Sequence, residues 1–205
     1  MVILLAMKKS LKLVIGVFVV LFVATVSTVL FMKNDNNVAQ DQTNVLAIYQ
    51  ISDQSSGVSL SYPDPLTSDQ LTDTDREDGF LFRLTSQDPP TIVSIRQETG
   101  LRAVTTLANV DVLDLLSANA EKALPDRYPG YSVLSENQLS VGGKDAVEIV
   151  FTYNGPSSEN VQQKLLIIEK DPNTAVYISM QTAAANYESV QKNQFQPILE
   201  ALEIK

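Results

Sequence analysis

The sequence predicts an α+β fold: a central antiparallel β-sheet sandwiched by helices, preceded by one N-terminal transmembrane helix. Three observations carry that expectation. An uncharged run fills Leu13 to Met32. Short alternating apolar segments, separated by Gly, Pro, Asn and Asp, fill most of the remainder. Two stretches, near residues 109–124 and 186–202, switch to a helical period.

The run LVIGVFVVLFVATVSTVLFM holds 20 residues without a charge. At about 1.5 Å of rise per residue, ~20 residues cross the roughly 30 Å hydrocarbon core of a bilayer. Its β-branched residues are weak helix formers in water, but in lipid the backbone can satisfy its polar groups only internally. Lys8, Lys9 and Lys12 precede the run and Lys33 follows it, so the N-terminus is expected to stay inside and the domain to be translocated. The expected layout is a short cytoplasmic N-terminus at 1–12, a single-pass plasma-membrane signal anchor at 13–32, a flexible polar linker at 33–44 and an extracytoplasmic domain at 45–205. A cleaved signal peptide is the competing reading. Against it, the run exceeds the usual apolar core of about 7–15 residues, and neither Ala24-Thr25-Val26 nor Ser27-Thr28-Val29 supplies a good small-x-small cleavage site. Met7-Lys8-Lys9 itself resembles a start, with Met1 to Ala6 as an upstream extension.

In the domain, Val45–Ile51 and Val58–Tyr62 read as strands joined by the polar turn Asp53 to Gly57, and Pro63 and Pro65 end the second. Phe80–Thr85 and Thr91–Glu98 form the next pair, turned at Asp88-Pro89-Pro90. Period-2 alternation places Phe80, Phe82 and Leu84 on one face and Arg83 on the other. From Asn109 to Leu124 the residues Val112, Leu113, Leu116, Ala120, Ala123 and Leu124 make a helical stripe, with Asn109 as expected N-cap and Pro125 and Pro129 as stops. Tyr131–Val141 and Asp145–Asn154 read as a hairpin through Gly142-Gly143, with Val147, Ile149, Phe151 and Tyr153 on one face. Val161–Lys170 and Thr174–Gln181 form another, turned at Asp171-Pro172-Asn173. A closing helix at 186–202 turns Phe195, Ile198, Leu199 and Leu202 inward, with Pro197 either kinking it or starting a second piece. Consecutive hairpins require an antiparallel sheet, and the apolar run Leu165 to Ile168 implies strands covered on both faces.

Composition excludes several functions. The 205 residues contain no Cys and no His, which removes disulfides, thiolate nucleophiles, an acylated lipobox Cys, zinc and iron–sulfur sites and imidazole catalysis. Lys8, Lys9, Lys12 and Lys33 flank the apolar run, so 11 of the 15 basic residues face all 24 acidic ones beyond it, a net charge of -13. That balance opposes sequence-independent nucleic-acid binding. It also opposes adhesion of the domain to an anionic bilayer.

Several motifs together resemble the PsbP-like superfamily: Gly-Val-Ser-Leu-Ser-Tyr-Pro at 57–63, Tyr-Pro-Gly-Tyr at 128–131, the Ser140–Glu148 hairpin, Ala-Val-Tyr-Ile at 175–178 and Phe-Gln-Pro-Ile-Leu at 195–199. The resemblance spans roughly 45–205. It implies a central antiparallel sheet between helices and a non-catalytic binding or assembly role. The superfamily includes the extrinsic photosystem II protein of plants, a nuclear-transport GTPase-binding factor and bacterial surface lipoproteins, so it implies no single partner. Leu66 stands where many members carry Trp, and the lipid-bearing Cys of the lipoproteins is missing.

The sharpest local chemistry is DQLTDTDREDG at 69–79. Asp73, Asp75, Glu77 and Asp78 are candidate hard-oxygen ligands for a weak Ca²⁺ or Mn²⁺ site, spaced like the start of an EF-hand loop. The match then fails, with Asp78 at the position needing Gly and Leu84 at the one needing a bidentate Glu. A solvated acidic loop is the alternative. Tyr62, Tyr128, Tyr131 and Tyr153 could line a ligand groove or sit at the core edge. Arg83, Arg96 and Arg102 could form a basic strip on a sheet edge or pair with nearby carboxylates. Neither G-x-S-x-G nor a Gly-rich phosphate loop is present. The expected function is a membrane-anchored extracytoplasmic binding or assembly module, monomeric in its domain and without catalytic activity, that contacts a protein or envelope partner. The alternative is a small-ligand or divalent-cation domain, with a photosystem II-type accessory role in a photosynthetic host. A hydrolase is the third reading.

Overall fold

The computed structural model describes residues 47–205. The expected cytoplasmic N-terminus at 1–12, transmembrane helix at 13–32 and linker at 33–44 lie outside them. Among the described residues no helix is long and apolar enough to cross a membrane.

A seven-stranded antiparallel sheet dominates. Its strands are β3 (Thr67–Ser68), β4 (Phe80–Gln87), β5 (Pro90–Thr99), β6 (Ser132–Val141), β7 (Lys144–Asn154), β8 (Asn160–Asp171) and β9 (Thr174–Ala183), in the spatial order β3-β4-β5-β9-β8-β7-β6. Two meanders therefore meet where β9 pairs with β5. The expected first hairpin, β1 (Ile48–Asp53) and β2 (Val58–Pro63), leaves this sheet and builds a second, three-stranded one with β10 (Glu203–Ile204). Gly142 and Gly143 both take left-handed φ in the β6–β7 turn, the geometry that matches strand twist in a two-residue hairpin loop.

Alternation sorts side chains to two cores. Val93, Ile95, Leu166, Ile168, Val176, Ile178 and Met180 face one side, where Tyr187, Val190, Phe195 and Ile198 cover them together with Val58, Leu60 and Ile204 of the small sheet. Val147, Ile149, Phe151, Tyr153, Leu165 and Ile167 face the other, under Val112, Leu113, Leu116, Ala120 and Leu124. Each fully buried large apolar side chain contributes about 1.5–3 kcal/mol. One cover is thus a helix pair and the other a helical segment joined by a small sheet, a sheet-dominated variant of the expected sandwich.

Four local expectations need correcting. Phe80 does not share a face with Phe82 and Leu84: a bulge between Phe80 and Phe82 turns it into the opposite core, beside Arg83. Asn109 is not an N-cap. It takes φ 52° and closes an unforeseen helix, α2 (Leu101–Ala108), while Asp111 caps α3 (Val112–Arg127) by accepting from the Leu113 amide at 2.8 Å. Pro125 lies inside α3 rather than stopping it, and the helix closes on the Tyr128 amide, which donates to the Leu124 carbonyl at 3.0 Å. The acidic loop contains a short helix, α1 (Asp73–Glu77). The closing helix runs continuously but changes pitch, through α4 (Tyr187–Val190), a π-turn (Gln191–Phe195) and α5 (Gln196–Glu200), with Pro197 in the first turn of α5, as the second-piece alternative expects.

Gly79 carries the chain from α1 into β4 at φ 84°, and a Cβ there would be driven into the Gln97 carbonyl oxygen. Gly100 has nearly the same φ, 86°, yet a Cβ would meet nothing within 4 Å. Gly100→Ala should therefore cost only the backbone strain of about 1 kcal/mol, and Gly79→Ala clearly more. Urea unfolding of the full chain in detergent measures both, and equal losses would contradict the packing described.

Candidate functional site

The acidic loop is organised by its backbone. Thr72 caps α1 by accepting from the Asp75 amide at 3.1 Å, while the Asp75 carboxylate accepts from the Thr72 amide at 2.9 Å and the Thr72 hydroxyl at 2.7 Å, a complete capping box. The other Asp75 oxygen accepts from Arg83 at 2.7 Å, and that guanidinium lies 5.2 Å from the centre of the Phe80 ring. Burial pushes the Asp75 carboxyl up, but the Thr72 bonds and Arg83 outweigh it and hold the group below its ordinary value. Asp73 and Glu77 point outward and Asp78 is half-buried. Asp75 is thus committed to folding, and among the described residues no group of three or more acidic side chains is placed to hold a metal ion.

Arg96 plays a parallel part. It pairs with Glu98 at 3.3 Å, its guanidinium lies 5.4 Å from the centre of the Tyr177 ring, and the Tyr177 hydroxyl donates to the same Glu98 carboxylate at 2.8 Å. Burial, then the charge of Glu98, pushes the Tyr177 phenol well up, so it stays protonated and donating. Arg83 and Arg96 share the α2/α3 face and Arg102 is exposed on α2, so the three arginines make no strip along a sheet edge. The tyrosines divide as well. Tyr128, Tyr131 and Tyr153 gather around Phe151, with ring centres 4.4 to 5.2 Å apart for the closest pairs, whereas Tyr62 lies in the opposite core and stacks on Tyr49 at 5.5 Å. Burial pushes the Tyr128 and Tyr153 phenols up, the behaviour of core-edge groups rather than of acids or bases. One S-x-x-K spacing occurs, Ser189 to Lys192, but both residues are exposed and Ser189 accepts from the Asn193 side chain at 3.4 Å.

A concave feature that the sequence did not foretell lies between α3 and β6. Asp114, Ser117, Ala118 and Glu121, at i, i+3, i+4 and i+7, form one wall; Glu136, Asn137 and Gln138 form the other; and Val147 lies at the floor of a groove of about 530 Å³. The Ser117 hydroxyl donates to Glu136 at 2.9 Å and ties the walls together. Three carboxylates and no cation line the groove. Its outer wall, β6, ends the large sheet and pairs only with β7 among the described residues. Val133 and Leu134 on that strand are 51% and 55% exposed, beside the bulge that interrupts the β6–β7 register. A second, smaller groove of about 280 Å³ runs between β1, β2 and the C-terminal turn, with Ser and Gln making up half of its lining.

A family profile described as PsbP-like protein matches residues 13–204. The chain belongs to the PsbP-like family. Among solved structures it is similar to cyanobacterial PsbP (CyanoP) from Synechocystis sp. PCC 6803, at TM-score 0.55 and 10% identity, covering 82% of this chain and 98% of that one. It is also similar to a crystal structure from Bacteroides thetaiotaomicron VPI-5482, at TM-score 0.51 and 13% identity over 76% of this chain; the match spans only 48% of that longer chain. A looser likeness, TM-score 0.43 at 10% identity, is to the Saccharomyces cerevisiae Ran-binding protein Mog1p, covering 78% of this chain and 96% of that one. At such identities the first two show the shared fold. No curated protein matches. In this chain the fold places a sheet with one long open edge next to a helix whose groove-facing stripe is acidic.

Because its folded pKa lies below the unfolded value near 3.9, Asp75 stabilises the fold above that pH, and the contribution is lost as pH falls through the folded value. Asp75→Asn should cost about 1.5–3 kcal/mol at pH 7, the scale of a hydrogen bond to a charged group. The gap from wild type should close as the pH drops below about 4. Unfolding curves of the full chain across pH 3 to 7 decide it, and a gap that is constant with pH would contradict the assignment.

Proposed function

We propose that this PsbP-like chain is a non-catalytic binding or assembly module, tethered to the membrane by residues 13–32, that presents its acidic domain to a protein partner on the outer side. The single observation that carries the reading is the α3–β6 groove with its open sheet edge, where a concave acidic wall, exposed apolar side chains and a ten-residue edge strand coincide. Several of the groups that the sequence singled out are engaged elsewhere. Asp75 and Glu98 hold arginines, the clustered tyrosines are kept protonated by burial, and Ser189 and Lys192 stand apart from either groove. The chain offers no imidazole or thiol to replace them. The uncharged run and its lysines support a membrane tether, and the excess of carboxylates in the domain supports a partner other than nucleic acid.

Site-specific photocrosslinking in native membranes tests this reading. A photoreactive residue at Gln138, which lines the groove, should give a discrete protein adduct, while one at Asp88, in the β4–β5 turn, should not. Equal labelling from both positions, or none from Gln138, would contradict a partner at this surface.

A further inference from the structure

We infer that β6 is a strand-addition site that takes an extended, alternating basic segment of a partner protein alongside the α3–β6 groove, its basic side chains leaning toward the groove carboxylates; this rests on the binding-module reading above. The first support is the edge itself. Regular strands expose one row of N–H and C=O groups when they end a sheet, and proteins commonly blunt such edges by shortening, Pro or Lys. The opposite edge follows that rule, since β3 has only two residues. β6 is blunted only by a bulge at Val133–Ser135 and one charge, Glu136: it runs ten residues, contains neither Pro nor Lys, and none of its main-chain groups bonds outside the β6–β7 ladder among the described residues. An extended peptide can satisfy that row and become the eighth strand.

The second support is the direction of side chains along the edge. Glu136 sits opposite Ile149 and Gln138 opposite Val147, and both partners belong to the core beneath α3, so Glu136 and Gln138 turn to the α3 side. Residues of an added strand aligned with them would turn the same way, toward Asp114 and Glu121. Three carboxylates without a cation there favour Lys or Arg at alternate positions. The intervening positions from Ser135 onward turn to the other face, where Leu139 packs against the opposite core, which suits small apolar side chains; the exposed Val133, before the bulge, lies opposite Phe151 on the α3 side. A second copy of this chain is the poorer occupant. Pairing β6 with β6 would bring like-charged grooves together on domains that each carry a net -11 over 45–205.

The test uses the full chain in nanodiscs and three fluorescein-labelled octapeptides: alternating Lys–Val, alternating Glu–Val, and Lys–Val N-methylated at every second amide. Anisotropy should show Lys–Val binding, with the other two weaker by at least about tenfold, because one loses the charge match and the other the main-chain bonds. Saturating Lys–Val should slow amide exchange within β6 and leave β3 unchanged, and Glu121→Gln with Asp114→Asn should weaken binding about three- to tenfold. Equal binding of the N-methylated peptide would overturn strand addition, and equal binding of Glu–Val would overturn the basic segment. A β6 edge already protected before peptide is added would mean that the chain or a second copy fills it, and would overturn the inference as well. Groove-specific crosslinks in membranes alongside failure of all three peptides would remove strand addition while leaving the binding module standing.

Discussion

The structure depends on burying the middle of one sheet from both sides. Every residue of β9 from Thr174 to Thr182 is buried, and Leu165 to Ile168 in β8 are buried without interruption. A strand in that state cannot keep a wet face, so the chain must provide two covers. It provides them from opposite ends of its length. The β1–β2 hairpin and the segment from Tyr187 to Ile204 close one side, and α3, with help from α2, closes the other. Insertion of β9 between β5 and β8 puts the most apolar strands at the centre, where both covers reach them.

That arrangement decides where polar groups can go. Arg83 and Arg96 lie on the α3 side but toward the β4–β5 end of the sheet, away from the middle of the helix, and each is neutralised by a carboxylate and laid on an aromatic ring. Such pairs tolerate partial burial because the guanidinium keeps both charge and stacking partners. At the other end α3 packs over β7 and β8 and leaves β6 projecting beyond its cover, so the polar flank of the helix and the exposed face of the strand become two walls of a groove. The groove is a by-product of how far one helix reaches across seven strands.

Much of this was legible in the residues. Alternation located eight long strands, because half-buried strands repeat every two residues, and the Val147, Ile149, Phe151 and Tyr153 face was read correctly. Phe80 was misassigned because a bulge inserts a residue and reverses the alternation, and nothing in Phe-Leu-Phe-Arg announces it. The α2 helix was missed because Leu-Arg-Ala-Val-Thr-Thr-Leu-Ala is rich in β-branched residues, and Asn109 was read as opening a helix when its positive φ closes one. The acidic run looked like an ion loop by composition, yet Thr72 three residues before Asp75 was already a capping-box signal. The groove was not legible at all, since it follows from strand order: no local pattern says that β6 ends the sheet while β9 crosses to its centre.

Native-state amide hydrogen exchange on the full chain tests the account most directly, because it reads two-sided burial and the open edge in one experiment. The amides of β8 and β9 should exchange only through global unfolding, and those of β6 should exchange faster by about a hundredfold or more. Amides of β6 as slow as those of β9 would mean that the edge is covered. Amides of β9 as fast as those of β6 would mean that the sheet lacks the double cover on which the fold depends.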